Sequence, residues 1–218
     1  LETERPGSTV ITPPQDEPKT LDLLSNLADF LNDPEDSLTK SAILHYQFES
    51  IHPFYDGNGR TGLIINVLYL ILKRHLDIPI LYLSSYIIEN KAEYYRLLRK
   101  VTAEARWEEW IRFYLAAVET TARQTLETVR MIKAQIDETV EFVRERAPKI
   151  YSKELVETLF EHPYCKNAFV ERAVGVERKA ASRYLRQLQE IGVLEMQKVG
   201  RENIYINAKL MRCLSSIT

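Results

Sequence analysis

Glycine is scarce in this 218-residue chain, with seven in all, yet Gly57, Gly59 and Gly62 fall within six residues. Chance explains that clustering poorly, and the segment is where the sequence concentrates its backbone freedom. Cysteine is scarcer still. Cys165 and Cys213 lie far apart with no CxxC spacing, which argues against a disulfide framework or a zinc site and makes a reducing cytoplasm the expected location. There is no excess of charge: 29 Lys and Arg against 31 Asp and Glu leave −2, excluding a globally basic nucleic-acid coat or an acidic tail protein. Long apolar runs are missing too. Leu63–Leu72 is broken by Asn66 and stopped by Lys73 and Arg74, too short to span a bilayer. Leu1–Pro14 has no apolar stretch of the signal-peptide kind, so no membrane partner is expected.

What the chain does have is enough apolar material for a core, 45% hydrophobic residues against 28% charged. The opening is extended in character. Thr9-Val10-Ile11-Thr12 is β-branched throughout and ends at Pro13-Pro14, as a strand or hairpin arm does. It has no obvious partner strand, and the chain is expected to begin within a domain. From Leu21 the apolar period becomes helical. Helices are expected at Leu21–Leu31, Lys40–Ser50, Arg60–His75, Lys91–Val101 and Trp107–Ala117, with Pro79–Ser84 as a connector. Thr120–Arg146 repeats apolar residues at spacings of three and four, which suits packing on the body or pairing with a copy of itself, a possible homodimer. Pro148 marks a boundary, giving domains 1–148 and 149–218.

The tail, 151–218, carries 11 basic and 8 acidic residues, a net +3. Helices Ser152–Phe160, Lys166–Ala173 and Glu177–Ile191, with a turn at Gly175-Val176, precede two strands, Val193–Lys198 and Asn203–Asn207. Three short helices and a hairpin resemble a winged helix-turn-helix. Arg178, Lys179, Arg183 and Arg186 on its third helix could contact DNA phosphates, but Glu177 and Glu190 bracket them and a solvated charged face is the default reading.

The chemistry concentrates in His52-Pro53-Phe54-Tyr55-Asp56-Gly57-Asn58-Gly59-Arg60-Thr61-Gly62-Leu63. This reads as a loop feeding a helix N-terminus, whose unpaired amides and dipole attract anions. Gly57 and Gly59 permit left-handed turns, and successive amides there form an anion nest. Arg60 opposes the helix dipole unless a polyphosphate lies between them. Asp56 would repel that phosphate unless Mg²⁺ mediates. His52, set off the helix by Pro53, would take a proton from an incoming hydroxyl. A base, a metal carboxylate, an anion nest and an arginine together suit attack on phosphorus. The literal GxGxxG match from Gly57 to Gly62 does not indicate a dinucleotide fold, because a helix and Pro53 stand where the strand should be. The other histidines (His45, His75, His162) have no ligand spacing and read as structural or surface residues.

The segment closely resembles the signature of the Fic family, HxFx[D/E]GNGRxxR, and the surroundings agree: Tyr46, the Tyr94-Tyr95 pair, and Trp107-Glu-Glu-Trp110-Ile111. The resemblance runs from about residue 9 to 118, and the tail is similar to that of many bacterial Fic proteins. It implies a mainly α fold: a Fic-type helical core with a small β-hairpin flap, followed by a winged helix. It implies a protein adenylyltransferase that moves AMP from ATP to a Ser, Thr or Tyr hydroxyl of a target protein, with Mg²⁺. By this resemblance His52 is the general base and Asp56 holds Mg²⁺. Gly57, Asn58 and Gly59 form the anion hole, Arg60 steadies phosphate charge, and Thr61 and Gly62 complete the nucleotide loop. Phe54 anchors the loop in the core, and Tyr94, with Tyr95, lines the adenine side. Ser8, Thr9, Val10 and Ile11 correspond to the flap that pairs with the target by strand addition.

The departures also matter. Leu63 replaces the signature's last arginine, which in the family contacts the terminal phosphate and pairs with an inhibitory glutamate. Thr102 stands where some relatives carry an adenine-binding Asn. The inhibitory motif is not visible upstream of the flap. Its literal match, Ser85 to Glu89-Asn90, follows the active loop and reads as coincidence. The alternative function is a DNA-binding regulator with a weakened Fic site.

Overall fold

The computed structural model describes residues 13–14, 16–34, 38–200 and 202–215. The expected flap, Ser8 to Ile11, lies outside the described residues. The chain divides into two compact units, one running to Thr125 and one beginning at Leu126.

The first unit is helical. Helix α1 (Glu17–Asn32) opens on Pro18, whose fixed φ suits a first turn, and stops before Pro34. Helix α2 (Leu38–Ile51) is the unit's central rod, with Ala42, Leu44, Phe48 and Ile51 in the core. Helix α3 (Asn58–Leu72) packs against it. The expected connector is shorter than its sequence suggests, because Leu83–Glu89 forms a seven-residue helix, α4. Asn90 divides it from α5 (Lys91–Glu104), its amide bonded to the Tyr86 carbonyl at 3.0 Å.

The two helices expected between Trp107 and Arg146 are one, α6 (Trp107–Arg146), 40 residues long. The Thr120-Thr121 pair at the expected break is accommodated because Thr121 Oγ1 donates to the Ala117 carbonyl at 2.7 Å and Arg123 pairs with Glu119 at 2.8 Å. Trp110, fully buried, donates its indole N–H to the Ala42 carbonyl at 2.9 Å and so ties α6 to α2.

The second unit contains the rest of α6, then α7 (Lys153–Glu161), β1 (Tyr164–Cys165), α8 (Asn167–Val174), α9 (Arg178–Glu190), β2 (Glu195–Val199), β3 (Glu202–Ile206) and α10 (Ala208–Ser215). Ser152 caps α7 by accepting from the Leu155 amide at 3.1 Å. Gly175, at φ +72°, ends α8 in the turn the sequence predicts. The strands form an antiparallel sheet in the order β1-β3-β2, with Tyr205 opposite both Cys165 and Met196. Leu155, Leu159, Val170, Leu185 and Leu188 fill the core beneath it. Strand β1 has two residues and α10 eight, and neither carries enough periodicity to be read in advance. No described helix is long and apolar enough to cross a membrane.

Candidate active site

The site begins where α2 ends. Pro53 disfavours the right-handed helical region for His52, and His52 takes φ +50°, a left-handed conformation uncommon outside glycine. Its amide still closes the last turn on the Phe48 carbonyl at 3.0 Å, so the imidazole is carried on a sharp corner with a fixed base. Burial lowers its pKa, and the Glu49 backbone carbonyl beside the ring opposes this in part. Nδ1 is buried and makes no hydrogen bond of standard geometry. The net effect favours the neutral imidazole, the form that accepts a proton.

The loop beyond is held by Asn58, a buried residue. Its Nδ2 donates to the Phe54 carbonyl at 2.6 Å, and its Oδ1 accepts from the Phe54 amide at 2.9 Å. Gly57 precedes α3 at φ +84°, which a side chain would strain. The Thr61 amide bonds the Gly57 carbonyl at 2.9 Å, and the amides ahead of it belong to the open first turn of a helix. Asp56 and Arg60, both exposed, pair across the mouth of this turn at 3.1 Å. Among the described residues, no group of three or more His, Cys, Asp or Glu is placed to hold a metal. At the loop, Asp56 presents an exposed carboxylate beside the first turn of α3, and Mg²⁺ commonly uses one or two protein carboxylates together with substrate phosphates.

Two expected roles are corrected. Phe54 is not buried in the core: the residue is 51% exposed, its ring only leaning on the buried Phe48 ring at 6.4 Å between centroids, and the loop is held by the Asn58 bonds to the Phe54 backbone. Tyr94 is not at the loop surface. It is 5% exposed, on the same face of α5 as Leu97, Leu98 and Val101, and its hydroxyl bonds His45 Nε2 at 3.0 Å. Tyr95, partly buried, packs edge-on against it. Thr102 bonds the Tyr46 hydroxyl at 2.9 Å. Leu63, partly buried, packs on the core and lines a groove of about 450 Å³ with Arg60, Ile64, Leu68, Leu81 and Tyr82. Ser85 to Glu89 lies in α4.

Sequence reasoning overlooked what lies beneath the loop. Ser41, His45 and Glu49 are buried on α2 at four-residue intervals. Ser41 is bonded by Asn66 of α3, whose Nδ2 reaches its carbonyl at 2.8 Å and its hydroxyl at 3.1 Å. His45 and Glu49 face Gly62, and Glu49 also faces Gly59. Burial pushes Glu49 up to about 7 and His45 down to about 4. A polar residue every fourth position among Leu44, Phe48 and Ile51 was the available signal.

With this geometry in place, the comparisons with known proteins converge. Residues 2–70 match the sequence model of the Fic/DOC family, which defines the class to which the loop belongs. Residues 135–210 match the C-terminal domain of SoFic-like protein adenylyltransferases. Residues 2–70 are therefore similar to the Fic/DOC family, and residues 135–210 to the SoFic-like C-terminal domain. It is 38% identical over 82 residues to protein adenylyltransferase fic-1 of Caenorhabditis briggsae and 37% identical over 82 residues to fic-1 of Caenorhabditis elegans. Each match covers 36% of this chain and 15% of the relative, so the chain spans a small part of those proteins' length. A crystal structure of a Fic family protein from Desulfovibrio desulfuricans G20 matches with TM-score 0.48 and 22% identity, covering 87% of this chain and 55% of that one.

Proposed function

We propose that this chain transfers AMP from ATP to a hydroxyl of a target protein. The observation that carries this reading is the His52 corner: a largely neutral imidazole on a strained residue, six residues before a helix N-terminus whose loop is clamped by Asn58. The two matches to adenylyltransferase sequences support it.

In the proposed reaction the target hydroxyl oxygen attacks the α-phosphorus of ATP. His52 takes the hydroxyl proton as the new O–P bond forms and the bond to the departing pyrophosphate breaks. The amides at Asn58, Gly59 and Arg60 hold the phosphate oxygens. The Arg60 guanidinium, released from Asp56, meets the negative charge of the leaving group. Asp56 would hold Mg²⁺, which when bound neutralises phosphate charge. Leu63 gives the terminal phosphate no cation. The flap at Ser8 to Ile11 would pair with the target chain.

We read the second unit, with its helix–strand–helix–helix–hairpin order, as a winged helix. Because residues 135–210 match a domain of adenylyltransferases, we assign it to the enzyme rather than to a separate DNA-binding regulator. Cys165 and Cys213, both buried and in no disulfide, suit a reducing cytoplasm. The test is incubation with α-labelled ATP, Mg²⁺ and candidate target proteins. Label should appear on protein with the native chain and not with His52→Ala, and equal labelling by both would remove His52 from the reaction.

A further inference from the structure

Two buried polar atoms, Glu49 Oε1 and His45 Nδ1, converge beneath the glycine loop. A Cβ built on Gly62 would lie 3.3 Å from Glu49 Oε1 and 3.4 Å from His45 Nδ1, and one built on Gly59 would lie 3.8 Å from the same Glu49 oxygen. Neither atom makes a hydrogen bond of standard geometry, although Asn66 of α3 lies close enough to the His45 side chain to favour its proton, and Glu49 is 2% exposed. A buried carboxyl therefore lies directly under the first turn of α3, on the side opposite to where an anion would approach. Unsatisfied buried groups are costly and rare in native proteins. Two at one point, under an anion-binding turn, call for a functional account.

We propose that Glu49 is a positioning residue that sets the anion affinity of the glycine loop. Its carboxyl, packed with the His45 imidazole against Gly59 and Gly62, leaves the field of the α3 amides open to phosphate when neutral and opposes phosphate when ionised. The inference rests on the reading of the loop as a phosphate site. The titratable groups around the pair come from several elements. His45 lies on the same helix, and its Nε2 is engaged by Tyr94 of α5. The Glu49 charge in turn disfavours ionisation of Tyr94. Tyr114 of α6 lies 5.9 Å from the His45 ring. The backbone carbonyl of Glu49 faces the His52 ring. On α3, Gly59 and Gly62 face the carboxyl, and Asn66 reaches the His45 side chain. Burial holds the carboxyl up to about 7, so both of its states are accessible near neutral pH.

The experiment measures pyrophosphate binding by calorimetry at pH 6 and pH 8, for the native chain and for Glu49→Gln. Gln is isosteric and permanently neutral, and the ligand's own ionisation cancels in the ratio of the two proteins. The native chain should lose affinity relative to Glu49→Gln by about tenfold between the two pH values. In the native chain alone, carbon-detected NMR should show the Glu49 carboxyl midpoint rising when pyrophosphate binds, because the coupling is reciprocal. A constant ratio, an unmoved midpoint, or no pyrophosphate binding at either pH overturns the proposal. Pyrophosphate binding with the expected ratio but no ATP binding leaves it standing and sinks the nucleotide reading instead.

Discussion

Asn58 grips the Phe54 backbone from both sides, donating to its carbonyl at 2.6 Å and accepting from its amide at 2.9 Å. The bonds close the loop between His52 and α3 into a ring and do not involve the side chain of Phe54, a half-exposed residue. Asn58→Ala should cost roughly 1–3 kcal/mol, because it leaves the Phe54 amide unsatisfied in a partly buried loop. Asn58→Asp keeps an acceptor for the Phe54 amide but places a carboxylate oxygen against the Phe54 carbonyl. It should weaken ATP binding more than it lowers the melting temperature. Calorimetry and thermal melts on the same samples check the split.

Gly62 leaves little room for a side chain. A Cβ there meets Phe48 Cδ1 at 3.1 Å and two polar atoms at 3.3–3.4 Å, all of them on the buried face of α2. Gly62→Ala should therefore push α3 off α2 and destabilise the chain by about 1–3 kcal/mol, read as a shifted denaturation midpoint. Gly175→Ala is a useful contrast: its Cβ would meet no atom within 4 Å, so its cost should come only from the φ of +72°.

Glu49 and His45 make opposite contributions to stability against pH. Glu49 is raised from 4.5 to about 7. The folded state then binds more protons, and stability is lost as pH rises through that window. His45 is lowered from 6.5 to about 4. The unfolded state then binds more protons, and stability is lost as pH falls through that window. Each effect is worth up to about 3 kcal/mol, and in the native chain they largely cancel. Glu49→Gln leaves His45 unopposed, so its stability relative to the native chain should rise as pH increases from 4.5 to 7. Urea titrations across that range check the sign.

Leu63→Arg would place a cation one turn beyond Arg60, on the wall of the groove that opens there. If the terminal phosphate of ATP runs along that wall, affinity for ATP should rise about tenfold while affinity for AMP stays constant. Competition binding with the two nucleotides reads this directly.

The elements around the active loop were legible because proline and glycine punctuate them strongly. Pro53 ends α2, and Gly57 opens α3 within two residues of the expected position. The helix–turn–helix and hairpin of the second unit were legible for the same reason, with Gly175 and Gly200 at their turns. Helix α4 was not, because its apolar approach from Pro79 resembles an extended connector. The continuity of α6 was hidden by Thr120-Thr121, whose hydroxyl bonding to the preceding turn a propensity argument does not foresee. The burial of Tyr94 was not legible, because a family pattern gives a position in sequence and not a depth in the core. Glu49 is not legible as buried because a single acid on a helix reads as surface until its neighbours are seen to be buried on every side.

With His52 as the base, the group that reaches the protein hydroxyl is AMP and not phosphate alone. Intact-mass measurement after incubation with ATP and Mg²⁺, on the chain itself and on candidate targets, tests it most directly. The account predicts an added AMP with the native chain and no addition with His52→Ala. An added phosphate, or an AMP adduct of equal yield with His52→Ala, would contradict it.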